Sequence, residues 1–259
     1  MADLNEVFEG AGENTPYFSI CIPQYNRTAF LIEAIRALGR QTLRDVEICI
    51  SDDCSTDGRE EELLAALRAS GLAFRYKRQQ KNLRYDGNLR AAIGLSRGRY
   101  CYLMGNDDCP ATDDELGRLR ADIEAVGEVG AVISNYRELS TNTVMRRMRQ
   151  TGSLGAGPRV AASNFRNYSF VSGVVLHGPR ARELSTDRWD GSEMYQMYLA
   201  TRIVAEGRPL LSLERVSVLK DLQIPGEIPD SYARKPRLDP CPIIERKHTF
   251  HMLAPLVID

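Results

Sequence analysis

Short apolar runs alternate with segments of helical periodicity over the first half of the chain. The runs predict five strands, at residues 17–22, 46–50, 73–78, 99–104 and 129–133. Between them, apolar side chains recur every three or four residues, as at Leu31, Ile35 and Leu38. We expect helices over 28–40 and 86–97, and two more that begin near residues 57 and 112. Because strands and helices that alternate at this spacing form right-handed βαβ units, the pattern predicts an α/β fold with a mainly parallel sheet flanked by helices.

The periodicity weakens after about residue 135. Residues 140–168 are polar and rich in Arg, and we expect a flexible excursion or an irregular hairpin there. A strand at 171–176 and a helix over 192–205 follow, and the chain becomes rich in Pro beyond Lys220. We therefore expect one domain with a C-terminal extension, divided into a flexible N-terminus (1–15), the domain itself (16–220) and a tail (221–259).

Sheets of this kind bind ligands outside the carboxyl ends of their parallel strands. Three segments occupy that position, namely Pro23–Asn26, Ser51–Asp53 and Gly105–Asp108. Two of them hold a pair of adjacent carboxylates, which repel each other unless a divalent cation or the donors of a ligand offset the charge. We therefore expect the functional site along this edge.

The residue types leave two interpretations open for each carboxylate pair. Asp107-Asp108 follows an apolar strand and suits metal-bridged diphosphate binding, but a solvated turn that begins the next helix has the same pattern. Asp52-Asp53 lies in Ser-Asp-Asp-Cys-Ser-Thr-Asp-Gly, where the composition by itself favours a turn and a helix cap.

Composition and charge narrow the class of protein. The chain has 259 residues, with 34 Lys+Arg against 35 Asp+Glu, a net charge of −1 and 43% hydrophobic residues. This balance argues against broad electrostatic binding to nucleic acid. No apolar run approaches the ~18 residues of a membrane helix, and the acidic, polar N-terminus is unlike a signal peptide. Six cysteines without C-x-x-C spacing argue against a zinc site and predict a reduced, cytoplasmic protein.

Three segments taken together resemble the N-terminal signature of family 2 glycosyltransferases. They are Ile20-Cys-Ile-Pro-Gln-Tyr-Asn-Arg27, Leu38-x-x-Gln-Thr42 and Val46–Asp57, and the resemblance continues through Asn82, Asn88 and Gly98–Asp108. It covers residues 17–110 and implies a GT-A fold with a Rossmann-like sheet. Residues 16–110 would then form the nucleotide-sugar half and 111–220 the acceptor half. The resemblance also implies an inverting reaction, a nucleotide-diphosphate sugar donor with UDP preferred, and Mn²⁺ or Mg²⁺.

The resemblance assigns roles on the nucleotide side. Pro23 and Tyr25 would pack on the base, and Asp53, next to Asp52, would accept a hydrogen bond from its ring N–H. Arg84 falls where some relatives place an arginine near the base or the phosphates.

The resemblance also assigns the D-x-D-type motif, which begins at Gly105 and includes Asn106. Asp107 and Asp108 match its final acidic residues, which bind ribose, diphosphate and metal. Gly105 stands where many relatives have Asp, so the metal ligands are expected to be reduced to Asp107 and Asp108.

An inverting transfer needs a general base within hydrogen-bond reach of the acceptor hydroxyl. Relatives place an acidic residue at the start of a helix in the second half, and Trp189–Gln196 matches that stretch. Glu193 is the candidate base and Asp190 the alternative. Without the resemblance, the residue pattern favours the simpler interpretation that Glu193 is an acidic residue in a first helical turn.

Five further residues have both a functional and an ordinary interpretation. His177 follows a strand and could contact metal or diphosphate, but a lone loop histidine is usually incidental. Trp189 could stack on an acceptor sugar or pack in the core. Arg146, Arg147 and Arg149 could meet an anionic acceptor or lipid headgroups, or form a solvated basic loop.

The sequence thus predicts an inverting glycosyltransferase that acts on a sugar or lipid-linked glycan acceptor in polysaccharide or glycoconjugate biosynthesis. The alternative is a nucleotide-sugar-binding module that has lost transfer activity, with Gly105 as the sign of that loss. The apolar end of the chain, 252–258, makes self-association or contact with the cytoplasmic membrane face a hypothesis.

Overall fold

A mixed sheet forms the centre of the fold. The computed structural model describes the backbone of residues 6–9 and the whole of residues 15–227. Within them the sheet has eleven strands: β1 (Glu6–Glu9), β2 (Phe18–Gln24), β3 (Val46–Asp52), β4 (Ala73–Arg78), β5 (Tyr100–Leu103), β6 (Cys109–Pro110), β7 (Ala131–Glu138), β8 (Thr143–Met145), β9 (Gly152–Ser153), β10 (Val174–His177) and β11 (Leu210–Lys220).

Helices cover the sheet. They are α1 (Thr28–Gly39), α2 (Glu60–Ala69), α3 (Arg84–Leu95), α4 (Glu115–Val126), α5 (Pro158–Asn164), α6 (Gly178–Glu183) and α7 (Tyr195–Ala205), with a 3₁₀ turn at Phe165–Tyr168. Among the described residues no helix is long and apolar enough to cross a membrane.

Strand direction places most of the carboxyl ends on one edge. The strand order is β1-β4-β3-β2-β5-β10-β7-β11-β6, and β4, β3, β2 and β5 run parallel. β10 is antiparallel to both β5 and β7, and β11 is parallel to β7. Six strands (β2, β3, β4, β5, β7 and β11) therefore point the same way, which confirms the α/β architecture that the periodicity predicted.

The central strands are buried on both faces. All seven residues of β3, and all of β2 except half-buried Pro23, are buried. Such strands carry continuous apolar runs because helices pack on both sides of them. The loops that leave these strands are consequently anchored at their bases.

Two departures from the sequence predictions lie at the ends of the domain. Glu6–Glu9 pair with β4, so part of the expected flexible segment 1–15 extends the sheet. The eleven-residue strand β11 was not predicted. It is the partner of β7 and also pairs with β6 and β9. The hypotheses on the apolar end, 252–258, lie outside the described residues.

Residues 140–168 also hold more regular structure than the polar composition indicated. β7 and β8 form a hairpin, in which Tyr136 is opposite Met145. β9 then pairs with β11, and Pro158 begins α5 at the position where proline's missing N–H costs nothing.

Candidate active site at the carboxyl edge

Gln24, the last residue of β2, joins three segments at the carboxyl edge. Its side-chain Nε2 donates to Thr28 Oγ1 at 3.1 Å, and its Oε1 accepts from Asn106 Nδ2 at 2.6 Å. Its backbone oxygen accepts from Asn88 Nδ2 at 3.1 Å. Asn106 was predicted to bind the nucleotide sugar. Its side-chain amide nitrogen instead donates to Gln24 and so connects the 105–108 loop to β2.

The residues predicted to bind the base lie on neighbouring strand ends. The N–H of Asp53 donates to the Gln24 carbonyl oxygen at 2.9 Å, which brings Asp53 beside the turn that carries Tyr25. Tyr25 is 48% exposed. Asp53 is buried, its carboxylate accepts the N–H of Leu83, and burial raises its pKa. Arg84 is exposed and follows Leu83 with a positive φ of 60°.

Asp52 makes different contacts from its neighbour. Its Oδ1 accepts the N–H of Ser55 at 2.7 Å and its Oδ2 accepts the hydroxyl of Tyr76 at 3.2 Å. Burial raises the pKa of this carboxyl against those hydrogen bonds. Both oxygens of Asp52 thus stabilise the loop that carries Asp53, as the turn interpretation of this segment indicated.

Three carboxylates meet where β5 and β11 end. Oxygens of Asp107, Asp108 and Asp221 all lie within 4.8 Å of one another. β6 brings them together because Cys109 pairs with Leu219 near the end of β11. The N–H of Asp221 also donates to Asp108 Oδ1 at 3.0 Å. We call these three residues the acidic group.

The negative charge of the acidic group is only partly offset by the protein. Arg27 Nη2 lies 2.8 Å from Asp107 Oδ2, and Lys220 pairs with Asp221. Asp108 accepts the hydroxyl of Ser172 but lies beside Asp107 in a buried position. Burial, and then the charge of Asp107, raise the pKa of Asp108 to about 8. A hard divalent cation with oxygen ligands matches this excess of buried carboxylate charge.

The space around Gly105 also fits a metal held by these carboxylates. A Cβ at position 105 would lie 2.9 Å from Asp108 Oδ2 and 3.2 Å from Asp107 Oδ1. A side chain there would crowd both predicted ligands, whereas Asp221 brings a third carboxylate from another strand. Asp221 was not among the residues predicted from the sequence, and it adds a third carboxylate beside Asp107 and Asp108.

Glu193 and Asp190 lie in the segment before α7. The helix begins at Tyr195, so Glu193 precedes it instead of lying in its first turn; its φ is 58° and its side chain is exposed. Asp190 forms a two-point ion pair with Arg90, in which Nη2 donates to Oδ2 at 2.9 Å. The Asp190 carboxylate is therefore paired with the Arg90 guanidinium, whereas the Glu193 side chain is exposed to solvent.

His177 and Trp189 both lie away from solvent in structural positions, and neither is placed as the functional interpretation expected. Because β10 runs against its neighbours, His177 lies at the opposite edge of the sheet from the acidic group. The proposed contact of His177 with metal or diphosphate is wrong. Trp189 is 7% exposed and its ring lies 5.9 Å from that of Tyr198, so it packs in the core.

Arg147 is not part of a solvated loop. Its guanidinium donates to the carbonyl oxygens of Ser134 at 2.8 Å, Phe170 at 2.8 Å and Ser172 at 3.1 Å. Burial lowers its pKa to about 10. Arg147 thus fastens the 170–173 segment, whose Ser172 reaches the acidic group, while Arg146 and Arg149 are exposed.

His177 gives a prediction about stability. Its Nδ1 accepts the N–H of Arg180 at 3.3 Å, and burial lowers its pKa from the ordinary 6.5. The unfolded chain therefore takes up this proton first, so the contribution to stability is present above about pH 6.5 and is lost as pH falls below it.

An Asn side chain at position 177 can accept the same N–H without titrating. In urea unfolding, His177→Asn is expected to lose less stability than wild type between about pH 7.5 and pH 5.5. Identical pH dependence of the two proteins would contradict this.

The chain's family follows from comparison with known proteins. A family model described as Glycosyl transferase family 2 matches residues 19–180, which is more than half of the 259 residues. The chain therefore belongs to glycosyl transferase family 2, as the resemblance predicted.

Relatives and solved structures agree with this. The abequosyltransferase RfbV of Salmonella typhimurium is 40% identical over 97 residues, which are 37% of this chain and 29% of RfbV. The amylovoran biosynthesis glycosyltransferase AmsB of Erwinia amylovora is 25% identical over 177 residues, 66% of this chain and 58% of AmsB. The matches thus span less than two thirds of either relative. The structure of S. aureus TarS 1–349 in complex with UDP-GlcNAc superposes with a TM-score of 0.64 at 16% identity, over 83% of this chain and 60% of that one. It confirms the predicted fold class.

Proposed function

We propose that the protein is an inverting glycosyltransferase that uses a nucleotide-diphosphate sugar, with UDP as the nucleotide. The observation that supports this most strongly is the acidic group, which lies on the same sheet edge as Asp53 and the Pro23–Tyr25 turn. A diphosphate that reaches from base to metal needs both features on one side of the sheet. Family membership and the UDP-GlcNAc complex of the structural relative point the same way.

The residues proposed to bind the nucleotide sugar form two groups, one for the base and one for the metal. Pro23 and Tyr25 offer an apolar surface for the base, with Asp53 as hydrogen-bond acceptor and Arg84 beside it. Asp107, Asp108 and Asp221 would hold Mn²⁺ or Mg²⁺, which when bound offsets the charge that develops on the leaving diphosphate. Burial raises the pKa of Asp107 and the charge of Arg27 opposes that rise, while the contact of 2.8 Å between Arg27 Nη2 and Asp107 Oδ2 fixes this carboxylate before the donor arrives.

Glu193 is proposed as the general base. The acceptor hydroxyl would give its proton to the Glu193 carboxylate as its oxygen attacks the anomeric carbon. The bond from that carbon to the donor phosphate breaks, and the nucleoside diphosphate leaves with the electron pair. Attack from the face opposite the leaving group inverts the anomeric configuration.

We propose a sugar or lipid-linked glycan as the acceptor, in polysaccharide or glycoconjugate biosynthesis. Support comes from the name of the amylovoran biosynthesis relative. The acceptor would approach from the acceptor half, 111–220, where Glu193 lies.

Nucleotide release tests this function against the binding-module alternative. The protein is incubated with UDP-, GDP-, dTDP- and CDP-sugars, with Mn²⁺ and a crude glycan and lipid-linked acceptor fraction, and free nucleotide is measured. The proposal predicts release of UDP that requires Mn²⁺, and Mn²⁺-dependent release of another nucleotide alone would contradict UDP as the nucleotide. Stabilisation by a nucleotide together with no release from any donor would favour the binding module.

Asp221 gives a direct test of the metal ligands. Asp221→Asn is expected to weaken Mn²⁺ binding about 3- to 30-fold in the presence of UDP, because one of three carboxylate charges is lost while its backbone N–H still donates to Asp108. Calorimetric or paramagnetic titration of Mn²⁺ measures the change. Glu138→Gln is the matched control, since Glu138 also pairs with Lys220 but lies outside the acidic group. Equal Mn²⁺ affinity in wild type and Asp221→Asn would remove Asp221 from the site.

A further inference from the structure

A buried carboxylate on α3 holds the turn that carries Glu193. Asp86 is 2% exposed and accepts three backbone N–H groups, from Gly191 at 2.9 Å, Glu193 at 2.8 Å and Tyr195 at 3.0 Å. The three donors are alternate residues of one short segment, so a single side chain determines the path of the backbone on both sides of Glu193.

Two features of the Glu193 turn are unfavourable without an interaction that stabilises them. Glu193 has a φ of 58°, a left-handed conformation that costs free energy for a residue with a Cβ. Tyr195 is the first residue of α7, and its N–H has no acceptor inside the helix. The N-cap residue Met194 makes no side-chain capping bond. Asp86 therefore caps α7 from a neighbouring helix and places negative charge at the positive end of the α7 dipole.

The same helix also contacts the donor side. Asn88, two residues after Asp86, donates to the carbonyl oxygen of Gln24 at 3.1 Å. Gln24 in turn binds Asn106 in the 105–108 loop. The first turn of α3 thus contacts the Glu193 turn through Asp86 and β2 through Asn88, and Gln24 extends the connection to the 105–108 loop.

We propose that Asp86 is a positioning residue for glycosyl transfer, which holds the Glu193 turn in its left-handed conformation and in a fixed relation to the donor loop. This inference rests on the proposed role of Glu193 as general base. Asp86 neither touches substrate nor takes the acceptor proton, because its oxygens are occupied by backbone N–H groups. It acts on Glu193 only through the backbone of the turn, which it holds at Gly191, Glu193 and Tyr195.

The chain supplies a matched control one turn further along α3. Arg90 also binds the segment before α7, but through Asp190 and the carbonyl oxygen of Thr186 at 3.2 Å, and the side chains of Arg90 and Asp190 are 23% and 37% exposed. Partly exposed ion pairs hold a backbone weakly. Arg90→Gln therefore perturbs the same helix and the same segment without releasing Glu193.

A double-mutant cycle tests the proposal. Asp86→Asn leaves one acceptor oxygen for three donors and is expected to lower kcat about 10- to 100-fold, with the donor KM within about threefold of wild type. Arg90→Gln is expected to keep kcat within about threefold. In a Glu193→Gln background, Asp86→Asn is expected to cause no further loss of kcat, because residues that act through one another are not additive.

The outcomes separate this inference from the proposed function. If Glu193→Gln keeps full kcat, the general base is refuted, and the positioning role falls with it. If Glu193→Gln is slow but Asp86→Asn keeps full kcat, or if the two losses multiply in the double variant, the positioning role alone is overturned.

Amide hydrogen exchange on the wild-type protein tests the geometry even if Asp86→Asn fails to fold. The N–H groups of Glu193 and Tyr195 are expected to exchange at least about 100-fold more slowly than in an unstructured chain, since Asp86 holds both. Exchange at the unstructured rate would overturn the proposal.

Discussion

Glu193→Gln is expected to lower kcat by roughly 10²- to 10⁴-fold, the usual contribution of a general base. Gln keeps the size and polarity of the side chain but cannot accept the acceptor proton. Because Glu193 lies outside the acidic group, the affinity for UDP with Mn²⁺ should stay within about twofold of wild type. Initial-rate kinetics and a UDP titration on the same preparations measure both quantities.

Asp190→Asn is the control for the alternative base. Asp190 is held by Arg90 through two hydrogen bonds, so its replacement should keep kcat within about threefold. A large loss of kcat in Asp190→Asn together with an active Glu193→Gln would reverse the assignment of the base.

Asp108→Asn is expected to reduce Mn²⁺-dependent UDP binding by about 100-fold or more. Asp108 is the most buried carboxylate of the acidic group and contacts both Ser172 and the backbone of Asp221. Its removal takes a charged ligand from the centre of the site, where water cannot replace it easily. Calorimetric titration of UDP in Mn²⁺ measures the loss.

The same variant should have the opposite effect on the metal-free protein. Burial and Asp107 raise the pKa of Asp108, so its ionised form destabilises the fold once pH exceeds the ordinary range of a carboxyl. Asp108→Asn should therefore melt at or above the wild-type temperature in EDTA. Asp113→Asn, an exposed carboxylate outside the acidic group, is the control and should change neither property. A metal-free Asp108→Asn that melts well below wild type would mean that Asp108 is structural.

Local periodicity predicts the first half of the fold well, and the reason is physical. The predicted strand at 46–50 and helix over 28–40 correspond to β3 and α1, because each βαβ unit buries a continuous run or a regular stripe. β11 escaped prediction because its register shifts between Leu213 and Val216, where Glu214 and Arg215 interrupt the apolar pattern.

The residues of the candidate site likewise include some that the sequence predicts and some that only the folded structure brings together. The rule that ligands bind at strand ends selects Asp53, Asp107 and Asp108, since each follows a strand that the sequence predicts. Asp221 obeys the same rule but follows β11, so it could be found only once that strand was known. Asp86 has no local signal at all. Its partners are backbone N–H groups 105 to 109 residues away, and only the fold brings them together.

Thermal unfolding of the wild-type protein with UDP, with and without Mn²⁺, tests the central claim most directly. A ligand at 100 times its dissociation constant stabilises the folded state by about 2.7 kcal/mol, which corresponds to a rise of roughly 5–10 °C for a domain of this size. We expect that rise with UDP and Mn²⁺ together, and little change with either alone or with UDP in EDTA. If none of UDP, GDP, dTDP or CDP raises the unfolding temperature in Mn²⁺, the proposed donor site at Asp53 and the acidic group is wrong. An equal rise in EDTA would contradict the metal at the acidic group.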